Sequence, residues 1–233
     1  MKIKDSTALV TGANRGLGLA YAKALLAAGA RKVYAGARDP ATVPALEGLV
    51  PLKLDVNDAA DVAAAAAACG DVDLVINNAG IIGGEPLLGD RGAEALHDVL
   101  DTNLYGVLAV SRAFAPVLRA HGGGVLVNML SALSWTSLPG TSGYSVSKAA
   151  AWALTNGLRN ELREQGTQVV GVHAGYIDTD MVKDVDSPKS RPEDIAQAVL
   201  AGIEAGDSEV LADDTARYVK AGFGNTPSLY LGG

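Results

Sequence analysis

Short apolar runs that alternate with longer helical patterns constrain this chain more than any other feature. Each apolar run is a predicted strand: Ala8–Val10, Val33–Ala35, Leu52–Leu54, Leu74–Ile76, Val125–Met129, Val169–His173 and Val210–Leu211. Because most of these runs are apolar throughout, both faces of the sheet that they form must be covered. Parallel strands joined by right-handed helical crossovers meet this requirement. The sequence therefore predicts a Rossmann-type, doubly wound α/β fold with three layers, α/β/α.

Helical patterns fill the intervals between the predicted strands. They cover about 16–28, a stretch from residue 58 onward, 93–119 in one or two helices, 144–164 and 192–205, and another helix is expected after Leu211. Asp58 is a predicted N-cap, and Ser190–Glu193 resembles a capping box with Pro192 in the first turn. No interior linker or fixed repeat interrupts the pattern, so residues 1–233 are predicted to form a single domain.

The overall composition narrows the choice of ligands. A net charge of −7 and a pI near 4.9 argue against a broad nucleic-acid surface, which needs dense positive charge. The single cysteine, Cys69, fits a reducing compartment, and no segment is apolar enough for a membrane span or a secretory signal. The spacing of the three histidines matches no metal site. We therefore expect a soluble, cytoplasmic protein that binds no metal, nucleic acid or membrane.

A glycine-rich loop lies between the first predicted strand and the first predicted helix. Glycine permits a tight turn and close approach of a ligand to the backbone. The N-terminus of the following helix offers free N–H groups and positive partial charge, which suit a pyrophosphate. The loop therefore predicts a dinucleotide site formed by Gly12, Asn14, Arg15, Gly16, Leu17 and Gly18.

The end of the second predicted strand distinguishes between the two nicotinamide cofactors. An NAD site usually places an acid there to hold the ribose hydroxyls, whereas this chain has Arg38. Arg38 and Arg15 flank the expected ribose position and would contact a 2′-phosphate. Asp39 would repel that phosphate if its side chain turned inward. The two arginines together favour NADP(H) as the cofactor.

Further motifs follow the glycine loop in order. They are Asp55-Val56, Asn77-Asn78-Ala79-Gly80, Asn103, Ser131 and Tyr144-Ser-Val-Ser-Lys148. With the glycine loop, this ordered set resembles the short-chain dehydrogenase/reductase family over roughly the first four-fifths of the chain. The resemblance implies a nicotinamide-dependent oxidoreductase.

The resemblance also implies a role for each motif. Asn103 would hold a water in a proton relay, and Ser131, Tyr144 and Lys148 would carry the chemistry. Tyr144 and Lys148 would lie beside the cofactor as well, and the Asn77 segment would stabilise the central sheet. The remaining implied cofactor contacts are Asp55, Val56, Asn78, Ala79, Gly80, Gly175, Ile177 and Thr179.

The spacing of Tyr144 and Lys148 supports their role on physical grounds. Residues four apart share one face of a helix. An unperturbed tyrosine has a pKa of about 10, too high for efficient acid–base work near neutrality. A unit charge about 4 Å away would lower that pKa by roughly three units at an effective dielectric of about 20. Ser131 is the expected hydrogen-bond donor to the substrate oxygen; Ser134 is its rival, but Ser131 lies at the strand end.

Some segments depart from the family pattern. Ala174 stands where the family usually has proline, and residues 181–191 are short for the usual substrate lid, which predicts an open cleft. After Val210–Leu211 the family's usual closing strand, with a terminal Asp-Gly-Gly, is not found. The family's common tetramer is therefore not expected. A homodimer through the helices near Leu104–Leu118 and Trp152–Leu162 remains open.

Apolar residues near the predicted strand ends form a candidate substrate pocket around Ser131. They are Leu133, Trp135, Leu138, Tyr176 and Met181. In the alternative interpretation, Trp135 and Met181 pack locally in their loops.

The leading functional prediction is NADPH-dependent reduction of an aldehyde or ketone. NADP⁺-linked alcohol oxidation, a non-catalytic NADP(H) sensor, and an epimerase or dehydratase are the alternatives; the first uses the same residues, while a sensor needs no proton donor.

Overall fold

The fold is described by a computed structural model that covers residues 1–231. Its strands are β1 (Thr7–Thr11), β2 (Lys32–Ala37), β3 (Leu49–Lys53), β4 (Leu74–Asn77), β5 (Val125–Met129), β6 (Gln168–His173) and β7 (Glu209–Leu211). Its α-helices are α1 (Gly16–Ala27), α2 (Ala59–Ala68), α3 (Gly92–Leu100), α4 (Val107–Ala120), α5 (Ser142–Glu161), α6 (Pro192–Ala205) and α7 (Asp214–Ala221). Within this range, no helix combines the length and hydropathy needed to cross a membrane.

All seven strands join one parallel sheet. Their order is β3-β2-β1-β4-β5-β6-β7, so the direction of winding reverses between β1 and β4. This arrangement confirms the predicted doubly wound fold. In such sheets the loops at the carboxyl ends of the strands separate at the reversal point and leave a crevice there.

Helices cover both faces of the sheet and complete the three predicted layers. On one face, Val10 and Ile76 pack in a core with Leu25 of α1 and Ile203 of α6. The neighbouring strand residues point the other way, as the pleat requires. They form a second core with α2, α4 and α5, which includes Leu9, Val75, Leu126, Val62, Val110 and Leu158.

The third strand begins three residues earlier than predicted. β3 starts at Leu49 and contains Pro51, which pairs with Ala35 of β2. Proline is tolerated because β3 is an edge strand and needs no second row of ladder bonds. Only Leu49 of this strand is buried, so its apolar pattern was too weak to mark its start.

The predicted capping box at Ser190 is wrong. Helix α6 begins at Pro192, as predicted, but its N-cap is Arg191 and no side chain caps it. The Ser190 hydroxyl donates instead to Asp213 Oδ2 at 3.1 Å. By contrast, Asp58 is confirmed as an N-cap, because its carboxylate accepts from the backbone N–H groups at the start of α2.

Two helices cover the region for which one or two were predicted, because a π-helical turn at Asp101–Gly106 separates α3 from α4. The last predicted strand, at Val210–Leu211, is confirmed. β7 pairs with β6 through Glu209–Leu211 and ends the sheet, and the predicted extra helix, α7, follows it.

Candidate active site

A cleft of ≈ 930 Å³ lies at the carboxyl ends of the strands. It crosses the point where the strand order reverses. The structure places all of the cofactor residues predicted from the sequence on its wall: Gly12, Asn14, Arg15, Gly16, Leu17, Gly18, Arg38, Asp55, Val56, Asn78, Ala79, Gly80, Tyr144, Lys148, Gly175, Ile177 and Thr179.

The glycine loop has a backbone that only glycine adopts without strain at two positions. Gly12 and Gly16 have φ angles of +66° and +53°. A Cβ atom on Gly18 would lie 2.1 Å from the carbonyl oxygen of Gly12, so the loop and α1 could not pack this closely with a side chain there. The N-terminus of α1 has no side-chain cap, which leaves its N–H groups available to an anion.

Asn78 and Thr11 join the glycine loop to the end of β4. Asn78 Nδ2 donates to the carbonyl oxygen of Thr11 at 3.0 Å. The Thr11 hydroxyl oxygen accepts from the backbone N–H groups of Asn78 and Ala79 at 3.0 and 2.9 Å. These contacts fix the separation of the two loops on either side of the crevice.

A buried amide pair links the sheet to the helices that carry the catalytic residues. Asn77 Nδ2 donates to Asn128 Oδ1 at 2.9 Å and to the Ser111 hydroxyl of α4 at 3.1 Å. Asn128 Nδ2 donates to the Thr155 hydroxyl of α5 at 3.0 Å. Buried and paired in this way, the polar groups set the position of α5 relative to β4 and β5.

Arg38 is exposed on the cleft wall after β2. It makes no ion pair with any residue in the described range 1–231. Asp39 does not turn inward, because its Oδ1 accepts from the N–H of Ala41 at 3.0 Å and caps a short 3₁₀ helix, Pro40–Thr42. The repulsion that Asp39 would exert on a phosphate at Arg38 is therefore reduced.

Arg15 is placed differently from the sequence expectation. Its Nη1 forms an ion pair with Asp180 Oδ2 at 3.0 Å, across the cleft from the glycine loop. Both side chains are more than two-thirds exposed, so the pair is weak and open to exchange. Arg15 is therefore not held toward the ribose position, and Arg38 is the cation that the structure leaves available there.

Ser131 and Tyr144 line the same cleft. Ser131 follows β5 and starts the 3₁₀ helix Ala132–Ser134, and its hydroxyl oxygen accepts the backbone N–H of Leu133 at 3.0 Å. Tyr144 lies in the first turn of α5, which begins at Ser142, two residues before the predicted start. The rival serine, Ser134, is buried behind Ser131 and accepts the backbone N–H of Ser131 at 3.3 Å.

Lys148 lies one turn after Tyr144, as its spacing predicts. Its Nζ is 5.6 Å from the centroid of the Tyr144 ring and donates to the carbonyl oxygen of Met129 at 2.7 Å. Burial lowers the pKa of Lys148 to about 8 and raises the pKa of Tyr144 to about 12. The lower tyrosine pKa expected from the lysine is not found in this structure, because desolvation of the phenol raises the pKa and the side chain of Ser131 opposes it only in part.

Asn103 is fully buried and does not line the cleft. Its Oδ1 accepts the N–H of Ile81 at 2.9 Å, and its Nδ2 donates to the carbonyl of Ile81 and to the Ser147 hydroxyl at 2.9 and 3.0 Å. Since both donor hydrogens of the amide are engaged, the side chain fixes the loop after β4 to α5. The side chain of Asn103 is therefore a positioning group, and the role of Asn103 in holding a water of a proton relay stays a prediction.

Trp135 is also buried, and the alternative of local packing is the one observed for it. Its ring stacks on His173 with centroids 3.7 Å apart and meets Phe223 edge-on at 6.1 Å. It contributes nothing to the cleft wall. The other predicted substrate residues, including Met181, are on that wall: Ser131, Leu133, Leu138, Tyr176 and Met181.

Asp213 joins three segments around the cleft. Its Oδ2 accepts from the N–H of Gly175 at 2.8 Å and from the Ser190 hydroxyl at 3.1 Å. Its Oδ1 accepts from the N–H of Ala216 at 2.8 Å and caps α7. A single bridge between Ile177 and Ser190 closes the segment between them at its base. The short lid is thus fixed at both ends.

Comparison with known proteins supports what this geometry indicates. The profile described as short chain dehydrogenase matches residues 6–190, well over half of the chain. This chain belongs to the short-chain dehydrogenase family. It is therefore an oxidoreductase, and the family resemblance seen in the sequence is confirmed.

Known short-chain dehydrogenases resemble this chain along its length. The solved structure of a short chain dehydrogenase from Burkholderia cenocepacia J2315 in complex with NADP is 38% identical, with a TM-score of 0.95 over 99% of this chain and 98% of that one. A 3alpha-hydroxysteroid dehydrogenase from Mediterraneibacter gnavus is 33% identical over 94% of both chains. Short chain dehydrogenase tazN from Aspergillus terreus is 35% identical over 78% of this chain, which spans only 43% of that longer protein.

The sequence reasoning missed several residues of this dehydrogenase that line the cleft. Ile81 and Ile82 follow β4, and Leu229 comes from the end of the chain. Thr215, Tyr218 and Val219 come from α7. The spacing of those three, which puts them on one face of a helix, was the available signal, but the fold had to place that face against the cleft.

Proposed function

We propose that this short-chain dehydrogenase interconverts an aldehyde or ketone with an alcohol, that it uses NADP(H), and that Tyr144 is the general acid and base. The observation that carries the proposal is that Tyr144, Ser131 and Lys148 line the same cleft as the glycine loop. A proton donor, a hydrogen-bond donor and a cation therefore face the space that a dinucleotide would share with its substrate.

The residues present fit NADP(H). The close packing at Gly18 and the uncapped N-terminus of α1 provide a cradle for a pyrophosphate. Arg38, which lines the cleft, would hold a 2′-phosphate, and the related Burkholderia structure is a complex with NADP. When bound, the cofactor supplies a hydride to the carbonyl carbon or accepts one from the alcohol.

Tyr144 holds the proton that reduction consumes. Its pKa of about 12 keeps the phenol protonated near neutral pH. Ser131 would donate to the substrate oxygen and stabilise the negative charge that develops there. As that oxygen takes the proton of Tyr144, the Lys148 ammonium would stabilise the phenolate, and a pKa of about 8 keeps most of Lys148 charged at pH 7.

Alcohol oxidation is the second candidate direction, because the same residues run the reaction backwards. Oxidation needs the phenolate form of Tyr144, which is scarce near neutral pH when the pKa is about 12. This observation favours reduction at pH 7 and an oxidation rate that rises with pH. Initial rates measured in both directions at several pH values test the assignment, and an oxidation rate independent of pH would contradict it.

The decisive experiment is the oxidation of NADPH and NADH over a panel of aldehydes and ketones. We expect Tyr144→Phe to lower kcat by about 100-fold or more, the usual contribution of a positioned general acid. Tyr176→Phe is the matched control, since Tyr176 is another tyrosine of the same cleft. Equal activity of the Tyr144→Phe variant and the wild type would reject the mechanism. Tight cofactor binding without turnover of any carbonyl would instead support a sensor.

Cofactor preference is tested separately by binding. Arg38→Ala should weaken NADPH affinity roughly tenfold more than NADH affinity, since only NADPH carries the 2′-phosphate. Arg15→Ala is the comparison, and we expect it to have the smaller effect because Arg15 pairs with Asp180. Fluorescence titration of both cofactors measures this without turnover. Parallel losses for the two cofactors would remove the case for Arg38.

We also propose a cytoplasmic location and a small-molecule substrate. The chain has one cysteine, Cys69, which is buried, and burial raises the pKa of its thiol to about 11. A thiol of this kind is inert and needs no oxidising compartment. Fractionation of cells that produce the protein, followed by immunoblotting, tests the location.

A further inference from the structure

The stretch after β7, residues 214–231, packs against the loop that follows β5. We refer to residues 214–231 as the C-terminal wall. Val219 is buried against Ala132 and Trp135, and Phe223 meets the Trp135 ring edge-on at 6.1 Å. Leu229 lies directly over Gly222, where a Cβ atom would come within 2.8 Å of the leucine side chain. The C-terminal wall is therefore a packed part of the fold and rests on the turn that carries Ser131.

One face of the C-terminal wall is part of the cleft. Thr215, Tyr218, Val219 and Leu229 all line it. Thr215 also packs on Gly175, where a Cβ atom would lie 2.7 Å from the threonine side chain. The family profile ends at residue 190, so these positions lie outside the region that this chain shares with the family profile.

Charge is unevenly distributed along the cleft. Over β1, β2 and β3 the wall carries Arg15, Arg38 and Asp55. Over β5, β6 and β7 the part of the wall that the structure describes carries only Lys148 and Asp180. Asp180 is paired with Arg15, and Lys148 is the proposed catalytic lysine. Among residues 1–231, no cation on this half of the cleft wall is therefore available to a charged group of a substrate.

The rest of this half of the cleft is apolar or carries neutral hydroxyl groups. Leu138, Met181 and Tyr218 lie at the mouth of the cleft and are 44%, 46% and 68% exposed. Apolar side chains this exposed gain most when a ligand covers them. A carboxylate or phosphate placed among them would lose its hydration with no cation to replace it.

We propose that the C-terminal wall makes this enzyme selective for bulky, uncharged, apolar aldehydes and ketones, with Tyr218 and Leu229 as specificity-determining residues. The proposal rests on the carbonyl–alcohol function proposed above. It adds that carbonyl compounds with a carboxylate or phosphate near the reacting carbon are poor substrates. It also adds that the selectivity depends on residues outside the family profile.

The first test compares two ketones that differ in one group, methyl 4-acetylbenzoate with a neutral ester and 4-acetylbenzoate with a carboxylate. We expect kcat/KM for the ester to exceed that for the carboxylate by about 30-fold or more, because the site has no partner for the charge. Equal values for the two compounds would overturn the proposed substrate class.

The second test changes Tyr218. Tyr218→Ala should lower kcat/KM for the ester by about three- to tenfold through KM, because apolar contact is lost, and should lower the value for propanal much less. Tyr230→Ala is the matched control, since Tyr230 is an exposed tyrosine of the same stretch that does not line the cleft. Equal effects of the two variants on the ratio of ester to propanal activity would overturn the role of Tyr218.

A third variant reverses the charge preference. Tyr218→Lys should raise kcat/KM for 4-acetylbenzoate by about tenfold, whereas Tyr218→Gln, which is polar and uncharged, should not. Because Tyr218 is largely exposed, both variants should fold. No gain for the carboxylate with lysine would count against the charge argument.

Binding measurements separate failure of this inference from failure of the proposed function. The two product alcohols are titrated by calorimetry into the Tyr144→Phe protein in the presence of NADP⁺. Tighter binding of the ester alcohol supports the apolar wall even if wild-type turnover is absent, in which case only the proposed function fails. Equal binding of both alcohols overturns the inference, whatever the turnover.

Discussion

His173 lies directly behind Ser131 and is fully buried. Its Nδ1 is 2.9 Å from the carbonyl oxygen of Ser131, and its ring stacks on Trp135. A carbonyl oxygen only accepts, so Nδ1 must carry the hydrogen. Nε2 has no hydrogen-bond partner among residues 1–231, and Glu209 is 3.7 Å away. The histidine therefore fixes the backbone of Ser131 through one nitrogen.

Substitutions of His173 should separate the roles of its two nitrogens. An asparagine amide can replace the Nδ1 donor, while a glutamine amide reaches the position of Nε2. We expect His173→Asn to keep kcat within about threefold and His173→Gln to lower kcat by about tenfold or more with a smaller change in KM. Steady-state kinetics of the two variants provide the measurement, with circular dichroism to verify folding. Similar losses in both would rule out a positioning role for Nδ1.

The same histidine makes the fold sensitive to acid. Burial lowers the pKa of His173 to about 4, from an ordinary value of 6.5. Between these values the unfolded chain binds a proton that the folded chain does not. The free energy of unfolding should therefore fall as the pH drops from 6.5 to 4, by about 3 kcal/mol in total. Urea titrations at pH 4.5 and 7.5 should show a smaller difference for His173→Asn than for the wild type; equal differences would contradict this.

Lys148 should lower stability at neutral pH. Its pKa is about 8 in the folded protein and about 10.5 in the unfolded chain. The cost of burying its charge is therefore present in full below pH 8 and is lost as the pH rises to 10.5. Lys148→Met should raise the free energy of unfolding at pH 7 by about 1–3 kcal/mol, less the lost hydrogen bond to Met129. Denaturation of both proteins at pH 7 and pH 10 provides the measurement, and destabilisation at pH 7 would contradict it.

Individual residues were predictable when their roles depended on nearby sequence, and not otherwise. The glycine loop and the Tyr144–Lys148 pair were predictable, because the spacing of their residues within a few positions determines their geometry. Arg15, by contrast, pairs with Asp180, a residue 165 positions away. Trp135 likewise packs on His173 and Phe223, which are also distant from it in the sequence. No local pattern encodes such a choice between partners.

At the scale of elements, Asp213 holds α7, the lid segment and the loop after β6 together. Asp213→Ala removes the cap of α7 and leaves the N–H of Gly175 and the Ser190 hydroxyl without their acceptor. We expect a loss of about 2 kcal/mol in the free energy of unfolding and a higher KM for bulky ketones. Asp214→Ala is the matched control, because the neighbouring Asp214 side chain is fully exposed and pairs only with Arg217. Equal effects of the two substitutions would disprove a joining role for Asp213.

The predicted boundaries and caps of elements were wrong where tertiary contacts compete with the local sequence pattern. Ser190 has the sequence of a cap, but Asp213 takes its hydroxyl. The π-helical turn at Asp101–Gly106 buries only Asn103 and Gly106, and the partners of Asn103 lie in the loop after β4 and in α5. The strands in the middle of the sheet were placed well because burial on both faces leaves an unbroken apolar run.

At the scale of the whole molecule, exposed apolar residues on the helices of one side suggest self-association. Tyr105 in the π-helical turn and Leu108 at the start of α4 are 57% and 38% exposed, and Val146 and Trp152 on α5 are 41% and 37% exposed. We expect a homodimer through these helices, because covering such side chains is favourable. Tyr105→Arg combined with Trp152→Arg should shift the sedimentation coefficient to that of a monomer. A wild type that sediments as a monomer at micromolar concentration would contradict the expectation.

The separation of the C-terminal wall from the catalytic residues has a genetic consequence. Every residue proposed for the chemistry precedes position 180, whereas the wall begins at Asp214, after the last strand. Mutations in the final codons can therefore alter which compounds are accepted while the proton donor and the cofactor cradle stay the same. A library confined to the codons of Thr215, Tyr218 and Leu229, which line the cleft and are not buried, would change substrate range at little risk to turnover, and natural variation at these positions offers a route by which related enzymes diverge.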